Sequence, residues 1–376
     1  MEPQIPTPPE PAWPDGLRGV SREDLVQSFR THLDENILDL RVTPMPGDAS
    51  TRQYHRVSLL GGNPASAILM VMPEACPPEP MDLPFLNIRP HLAGLGLRVP
   101  GHYFSMPREG IVALEDLGDQ TLETALESAS RPEAEAWLRE ALESLIRMQT
   151  GRGKGDCSAF THAFTSEKFE AELAFFLEHA VEGLWKREVS PRDRAALTGE
   201  FRRLSEALVS QGSVFVHRDY HSRNLMVLTD FPKLGILDFQ DARLGPPAYD
   251  VASLLYDSYV TLPGEIRDAL IEYYRSRLES ETGERSDRET FNRSLWIAAT
   301  QRNLKAVGTF AYQAGVLGKK RYLASIPPTL EYVRDHCGRL PELAGLWAIL
   351  APLLPDSADF AACAAEGPLS CSNSSV

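Results

Sequence analysis

The stretch Ser213–Phe239, SVFVHRDYHSRNLMVLTDFPKLGILDF, decides how the rest of the chain is read. Three short β-rich segments, SVFVH, LMVL and GILDF, are separated by the polar loop RDYHSRN and the turn TDFPK, which predicts consecutive strands. The loop carries His217, Arg218, Asp219 and Asn224, and the last segment ends on a second acid, Asp238. Asp and Asn are common in turns because their side chains bond to nearby backbone. A plain turn, however, needs no His, Arg, Asp and Asn at fixed offsets with another acid in the adjoining strand. A loop clamped between two strands is suited to hold one carboxylate toward a hydroxyl while an amide oxygen and a second carboxylate meet at a hard cation. Mg2+ fits such oxygen donors, keeps several waters and also binds phosphate oxygens.

Upstream of this segment the chain changes character twice. Residues 1–20 open with MEPQIPTPPEPAWPD, a proline-rich leader expected to lack order. From Ser21, a plausible N-cap, Leu25, Phe29, Leu33 and Ile37 recur every fourth residue and predict an amphipathic helix. The loop PGDAST then leads into RQYHRVSLL, a Gly61-Gly62-Asn63 turn and SAILMVM, a β-hairpin pattern. A helix through Leu95 and strands near His102–Phe104 and Ile111–Glu115 complete a small β-rich lobe, residues 21–117. The remainder, 118–355, is read as a mainly helical lobe around the Ser213–Phe239 insert, with helices near 120–128, 131–149, 166–185, 191–211 and from Ala248 to Leu350. Residues 356–376 read as a flexible tail.

The chain has 376 residues with 38 Lys and Arg against 52 Asp and Glu, a net charge of -14 that disfavours nucleic-acid binding. The strongest apolar run, Leu346–Leu354, falls short of the ~18 residues of a membrane span and contains Pro352. No secretion signal heads the sequence, so a cytoplasmic location is expected. The five cysteines, Cys76, Cys157, Cys337, Cys363 and Cys371, form no C-x-x-C pair and suggest neither a disulfide framework nor a zinc site.

The spacing H-R-D-x-x-x-x-N from His217 to Asn224 is that of the kinase catalytic loop. Together with PGDASTRQYHRV, VALEDLGDQTL, GILDFQDARLGPPAYDVASLL and QRNLKAVGTFAY, it makes the chain resemble the aminoglycoside-phosphotransferase-like small-molecule kinases. Within them it is most similar to the bacterial anomeric kinases of N-acetylmuramate and N-acetylglucosamine. The resemblance implies an α+β, bilobal protein-kinase-like fold with ATP in the cleft, Mg2+ as metal, and a sugar as small-molecule substrate phosphorylated in peptidoglycan recycling. It implies Asp219 as the group that accepts the hydroxyl proton, and Asn224 and Asp238 as magnesium ligands. His217 is read as a packed scaffold. Asp250 either buttresses the catalytic loop or is a helix N-terminal acid that favours the macrodipole. About ten residues separate Asp238 from the helix near Tyr249, too few for a peptide-docking activation loop, so a small acceptor is favoured. An aminoglycoside or other small-alcohol phosphotransferase, and a non-catalytic nucleotide binder, are the alternatives.

The small lobe departs from the kinase pattern. Its first lysine would have to lie before Lys154, the first in the chain, so no lysine there steadies the phosphates, and DLPFLNIRPHLAGLG supplies no partner glutamate. Gly47, Ser50, Thr51 and Arg52, in the loop GDASTR, are the candidates to take over phosphate binding, since a guanidinium binds phosphate bidentately. The backbone around Glu115 and Leu117 is the candidate adenine hinge. Gln240, Asp241 and Arg302 are candidate sugar contacts, and Arg302, with Lys305 on the same helix, suits a lactyl carboxylate. The plainer reading of both helical cations is solvation or pairing with nearby acids. Oligomeric state is not legible.

Overall fold

Ser21 starts the first helix, α1 (Arg22–His32): its Oγ accepts the Asp24 amide at 3.1 Å and donates to the Asp24 carboxylate at 2.7 Å, a capping box. Leu25, Val26 and Phe29 form its buried face, and Phe29 meets Phe104 edge to face at 5.0 Å. The helix ends at His32 and does not reach Ile37 as the spacing predicts. The Asp34 carboxylate accepts the amides of Asn36 and Asn63, each at 2.9 Å, and turns the chain there. Ile37 is fully buried all the same, so its spacing recorded burial and not helix.

The computed structural model describes residues 13, 17–46, 52–77, 79–151 and 156–355. They divide into one unit of Met1–Arg89 with Val99–Gly118 and a second of Pro90–Arg98 with Asp119–Val376. In the first, an antiparallel sheet runs in the order β1 (Asp39–Pro44), β2 (Gln53–Leu60), β3 (Ser66–Val71), β5 (Ile111–Glu115), β4 (His102–Met106). Val42 faces Val57 and Leu69 faces Ala113 in register, so alternate residues supply the apolar face that packs with α1. β1 adds a strand that the periodicity does not announce. It lies at the sheet edge, where Pro44 is tolerated, and Arg22 holds its Asp39 by bonds of 2.9 and 2.8 Å. The core also takes in Leu17 and Val20, so packing begins before Ser21, inside the stretch expected to be a loose leader. Neither β3 nor the helix α2 (Pro84–Gly94) carries the Lys and Glu of the kinase pair.

The second unit is mainly helical: α3 (Leu122–Leu126), α4 (Arg131–Thr150), α5 (Ser166–Phe176), α6 (Pro191–Val209), α7 (Ala248–Leu255), α8 (Gly264–Thr282), α9 (Arg288–Gly315), α10 (Ile326–Arg339) and α11 (Ala344–Leu350). The helix expected over 166–185 is α5 followed by a wider π-helical stretch, Leu177–Leu184. Two short sheets interrupt the helices. β6 (Val214–Val216) pairs with β9 (Arg243–Gly245), and β7 (Leu225–Val227) pairs with β8 (Leu234–Ile236), both antiparallel. β8 stops at Ile236, so Asp238 stands beyond the strand in which the sequence pattern placed it.

Helix α9 is buried along much of its length, from Phe291 to Gln313. It approaches α5 so closely at Gly308 that an added Cβ would stand 2.7 Å from the Phe176 Cα and 3.0 Å from its nitrogen. Backbone cannot swing aside as a side chain can. Gly308→Ala is therefore expected to destabilise the protein by about 1–3 kcal/mol, read as a lower midpoint in urea unfolding. An unchanged midpoint would show that α5 and α9 separate freely.

Candidate active site

The loop between β6 and β7 is fixed at nearly every residue. Asp250, the third residue of α7 and fully buried, accepts the His217 amide at 2.6 Å and the Arg218 amide at 3.0 Å, one on each carboxylate oxygen. Burial pushes its carboxyl up to about 6, against the pull of His217 and the two amides. The side chain thus serves the loop directly, in addition to standing in a helix first turn. His217 is also fully buried, with Nε2 2.8 Å from the Leu237 carbonyl; a carbonyl only accepts, so Nε2 carries the proton.

Further along, the Tyr220 hydroxyl donates to Ala141 O at 2.9 Å, and the Ser222 amide donates to buried Asp257 at 2.8 Å. Arg223 forms a fork on Glu123 with bonds of 2.7 and 2.9 Å and lies over the Tyr259 ring at 3.7 Å. Arg218 takes a left-handed backbone, φ 86°, unusual for a non-glycine residue. Its guanidinium reaches Glu172 of α5 at 3.3 Å and Asp241 at 3.6 Å. The other oxygen of Glu172 accepts Gln301 of α9 at 3.0 Å. Loop, α5 and α9 therefore share one buried carboxylate.

These restraints present Asp219, Asn224 and Asp238 through one connected set of bonds. Asn224 Nδ2 donates to the Asp219 carbonyl at 2.8 Å, and the Leu237 amide donates to the Asn224 carbonyl at 2.9 Å, which sets Asp238 beside Asn224. Asp238 is exposed, in a left-handed turn with φ 59°, and one of its oxygens accepts Gln240 Nε2 at 2.6 Å. Among the described residues no three His, Cys, Asp or Glu side chains form a metal cage. An amide oxygen from Asn224 and a carboxylate from Asp238 are nonetheless hard donors of the kind Mg2+ takes when waters and phosphate complete its shell.

Asp219 is the most strongly perturbed acid here. Burial works to raise its pKa, but Lys305 Nζ of α9, 3.0 Å from Oδ1, with Arg218 and Arg302 behind it, holds the carboxyl well below the usual range. His221 is pushed down to about 3, chiefly by burial, and is neutral near pH 7. Arg302 is 5% exposed, and its Nε and Nη1 are buried without a hydrogen-bond partner among the described residues.

The remaining sequence candidates separate into three groups. Gln240 is bonded to Asp238, and Asp241 accompanies Arg218, so both sit beside the loop and its acids. Gly47, Ser50 and Thr51 lie outside the described residues, and Arg52, half-buried, stands immediately before β2. At the candidate hinge, the Glu115 amide donates to Gly101 O at 2.8 Å and the Glu115 carboxylate accepts the Gly101 amide at 3.0 Å. Asp116 is bound by Arg56 at 2.7 Å and accepts the Gly118 amide at 3.0 Å. Leu117 stands between these fixed neighbours.

Sequence reasoning did not single out Glu172, Asp257 or the contact of Lys305 with Asp219. Glu172, in FEAELAFF, gives a signal in retrospect: an acid inside an apolar helical run must be paired. The other two depend on where helices begin relative to the loop.

The phosphotransferase enzyme family, APH, matches residues 41–289. An N-acetylmuramate/N-acetylglucosamine kinase of Pseudomonas aeruginosa is 33% identical over 315 residues, covering 82% of this chain and 88% of its own. A Pseudomonas putida protein of the same name is 30% identical over 345 residues, covering 87% and 96%. A solved structure from Ralstonia eutropha, assigned as an aminoglycoside phosphotransferase, has a TM-score of 0.57 at 18% identity over 84% of this chain and 98% of that one. That likeness establishes the protein-kinase-like fold alone. Kinases of this kind use ATP with a divalent cation. The match over residues 41–289 and the identity to these relatives place the chain in the phosphotransferase enzyme family, as an ATP-dependent phosphotransferase acting on a hydroxyl acceptor.

Proposed function

We propose that the chain transfers the γ-phosphoryl group of ATP to the anomeric hydroxyl of N-acetylmuramate, N-acetylglucosamine or both, giving the sugar 1-phosphate in peptidoglycan recycling in the cytoplasm. The observation that carries the chemistry is the loop that holds Asp219 beside Asn224 and Asp238; the acceptor rests on the names of the relatives. Asp219 takes the hydroxyl proton as the sugar oxygen bonds to phosphorus and the bond to the ADP oxygen breaks. Asn224 and Asp238 are the residues that would hold Mg2+, which when bound neutralises charge on the phosphates. His217 and Asp250 keep the loop in shape, so that alignment is set before substrate arrives. Arg52, with Gly47, Ser50 and Thr51, is the candidate phosphate-binding segment in place of the absent lysine, and the Leu117 backbone the candidate adenine contact. Gln240 and Asp241 are retained as sugar contacts.

The surroundings of Asp219 favour an anionic over a polycationic acceptor. Lys305, Arg218 and Arg302 all act on it, and the positive Arg302 guanidinium, two of whose nitrogens have no hydrogen-bond partner among the described residues, would repel an aminoglycoside. Arg302→Met is expected to lower kcat/KM for N-acetylmuramate by about 10–100-fold, the worth of a charged hydrogen bond. Its effect on N-acetylglucosamine, which has no carboxylate, is expected to be several-fold smaller. Equal losses on both sugars would remove Arg302 from acceptor recognition. The reading as a whole is tested with an amino-sugar panel and labelled ATP, the phosphorylated position being read by NMR. Product at the anomeric carbon supports it; product only on aminoglycosides or amino alcohols, or nucleotide binding with no product, refutes it.

A further inference from the structure

Lys305 stands out among the charged groups of the second unit, because an ammonium in contact with a proton-accepting carboxylate weakens that carboxylate as a base. Its side chain is 16% exposed and that of Asp219 32%, so solvent screens the pair only in part. Among the described residues it is the side chain that hydrogen-bonds the Asp219 carboxylate, and it does so on Oδ1. Asn224 and His221 bind the Asp219 backbone carbonyl instead, at 2.8 and 3.1 Å. Three residues earlier on α9, and therefore on the same face, the buried guanidinium of Arg302 has two nitrogens without hydrogen-bond partners among the described residues. An arginine fork takes both oxygens of a carboxylate, whereas a lysine is a point donor that takes one. Arg302 acts electrostatically on Asp219, so without Lys305 a guanidinium on the same helix face would compete for its carboxylate.

We infer that Lys305 is a positioning residue of the transfer: by occupying Oδ1 of Asp219 it holds the carboxylate with Oδ2 presented to the acceptor hydroxyl. The inference rests on the role proposed above for Asp219. It assigns Lys305 to the loop and not to the acceptor's carboxylate, and it explains why a proton acceptor tolerates a cation: transfer through a loose transition state demands orientation more than basicity. Lys305 acts through Asp219, so its effect must vanish when Asp219 can no longer take a proton.

The test is a double-mutant cycle in the full-length protein with Mg-ATP and the acceptor the panel identifies. Lys305→Met alone is expected to lower kcat about 100-fold with KM for ATP within threefold of wild type. In an Asp219→Asn background the same change is expected to alter single-turnover rate by less than threefold. A kcat for Lys305→Met within threefold of wild type overturns the inference, as does a loss of equal size in both backgrounds, because Lys305 then acts on something else. Should Lys305→Met melt more than about 10 °C below wild type, Lys305→Ala, which likewise removes the donor to Oδ1 and keeps a strong helix former in α9, enters the same cycle under the same criteria. Failure of the parent reading shows separately, as full turnover by Asp219→Asn alone. An acceptor other than an amino sugar corrects the substrate without touching Lys305.

Discussion

Asp219→Asn is expected to lower acceptor phosphorylation by about 10²–10⁴-fold, the usual worth of a positioned proton acceptor. The change is nearly isosteric. It leaves the Asp219 carbonyl to accept from Asn224, as it does at 2.8 Å, and leaves an amide oxygen to face Lys305. What disappears is the oxygen able to take a proton. Affinity for Mg-ATP, followed by calorimetry, should stay within about twofold because the Asn224 and Asp238 donors are untouched. Undiminished sugar phosphorylation would reject Asp219 as the base.

The second large effect falls on stability. Asp250→Ala removes the acceptor of two adjacent loop amides, His217 at 2.6 Å and Arg218 at 3.0 Å, in a place with no exposure to water. Each stranded amide costs about 1–3 kcal/mol, so the loss is expected at about 2–6 kcal/mol. That corresponds to a fall in Tm of roughly 4–24 °C at the ~2–4 °C per kcal/mol of a domain of about 150–250 residues, the larger second unit tending to the low end. Arg218 amplifies the effect, since a non-glycine residue at φ 86° keeps that conformation only while its surroundings impose it. A melting temperature within 2 °C of wild type would mean that water or a neighbour takes over both amides.

The parts of this molecule legible in its sequence are those written in local chemistry. The strand–loop–strand pattern around His217–Asn224 and the hairpin of β2 and β3 follow from alternation and turn residues within short windows. β1 and β9 were not legible: β1 is an edge strand ending in proline, and β9, Arg243-Leu244-Gly245, has a single apolar side chain and no apolar run such as SVFVH or LMVL around it. Ile37 misled for a different reason: a side chain in a turn and one on a helix look alike when both enter the same core. Asp238 was found as an acid but misplaced on a strand, since nothing in GILDF announces a left-handed aspartate. The charges of α9 were visible, yet their targets depend on how α9 crosses the catalytic loop, a tertiary fact absent from any window of sequence.

Glu172 carries a consequence for how this chain tolerates change. One carboxylate from α5 satisfies Arg218 in the loop and Gln301 on α9, with little room for water to stand in for either. The three positions are thus bound to drift together: a swap at Glu172 would strand two donors at once, and repairing either one alone would leave the other unmet. Recombination that brings α5 from one homologue and α9 from another should founder at this junction before it founders at the chemistry.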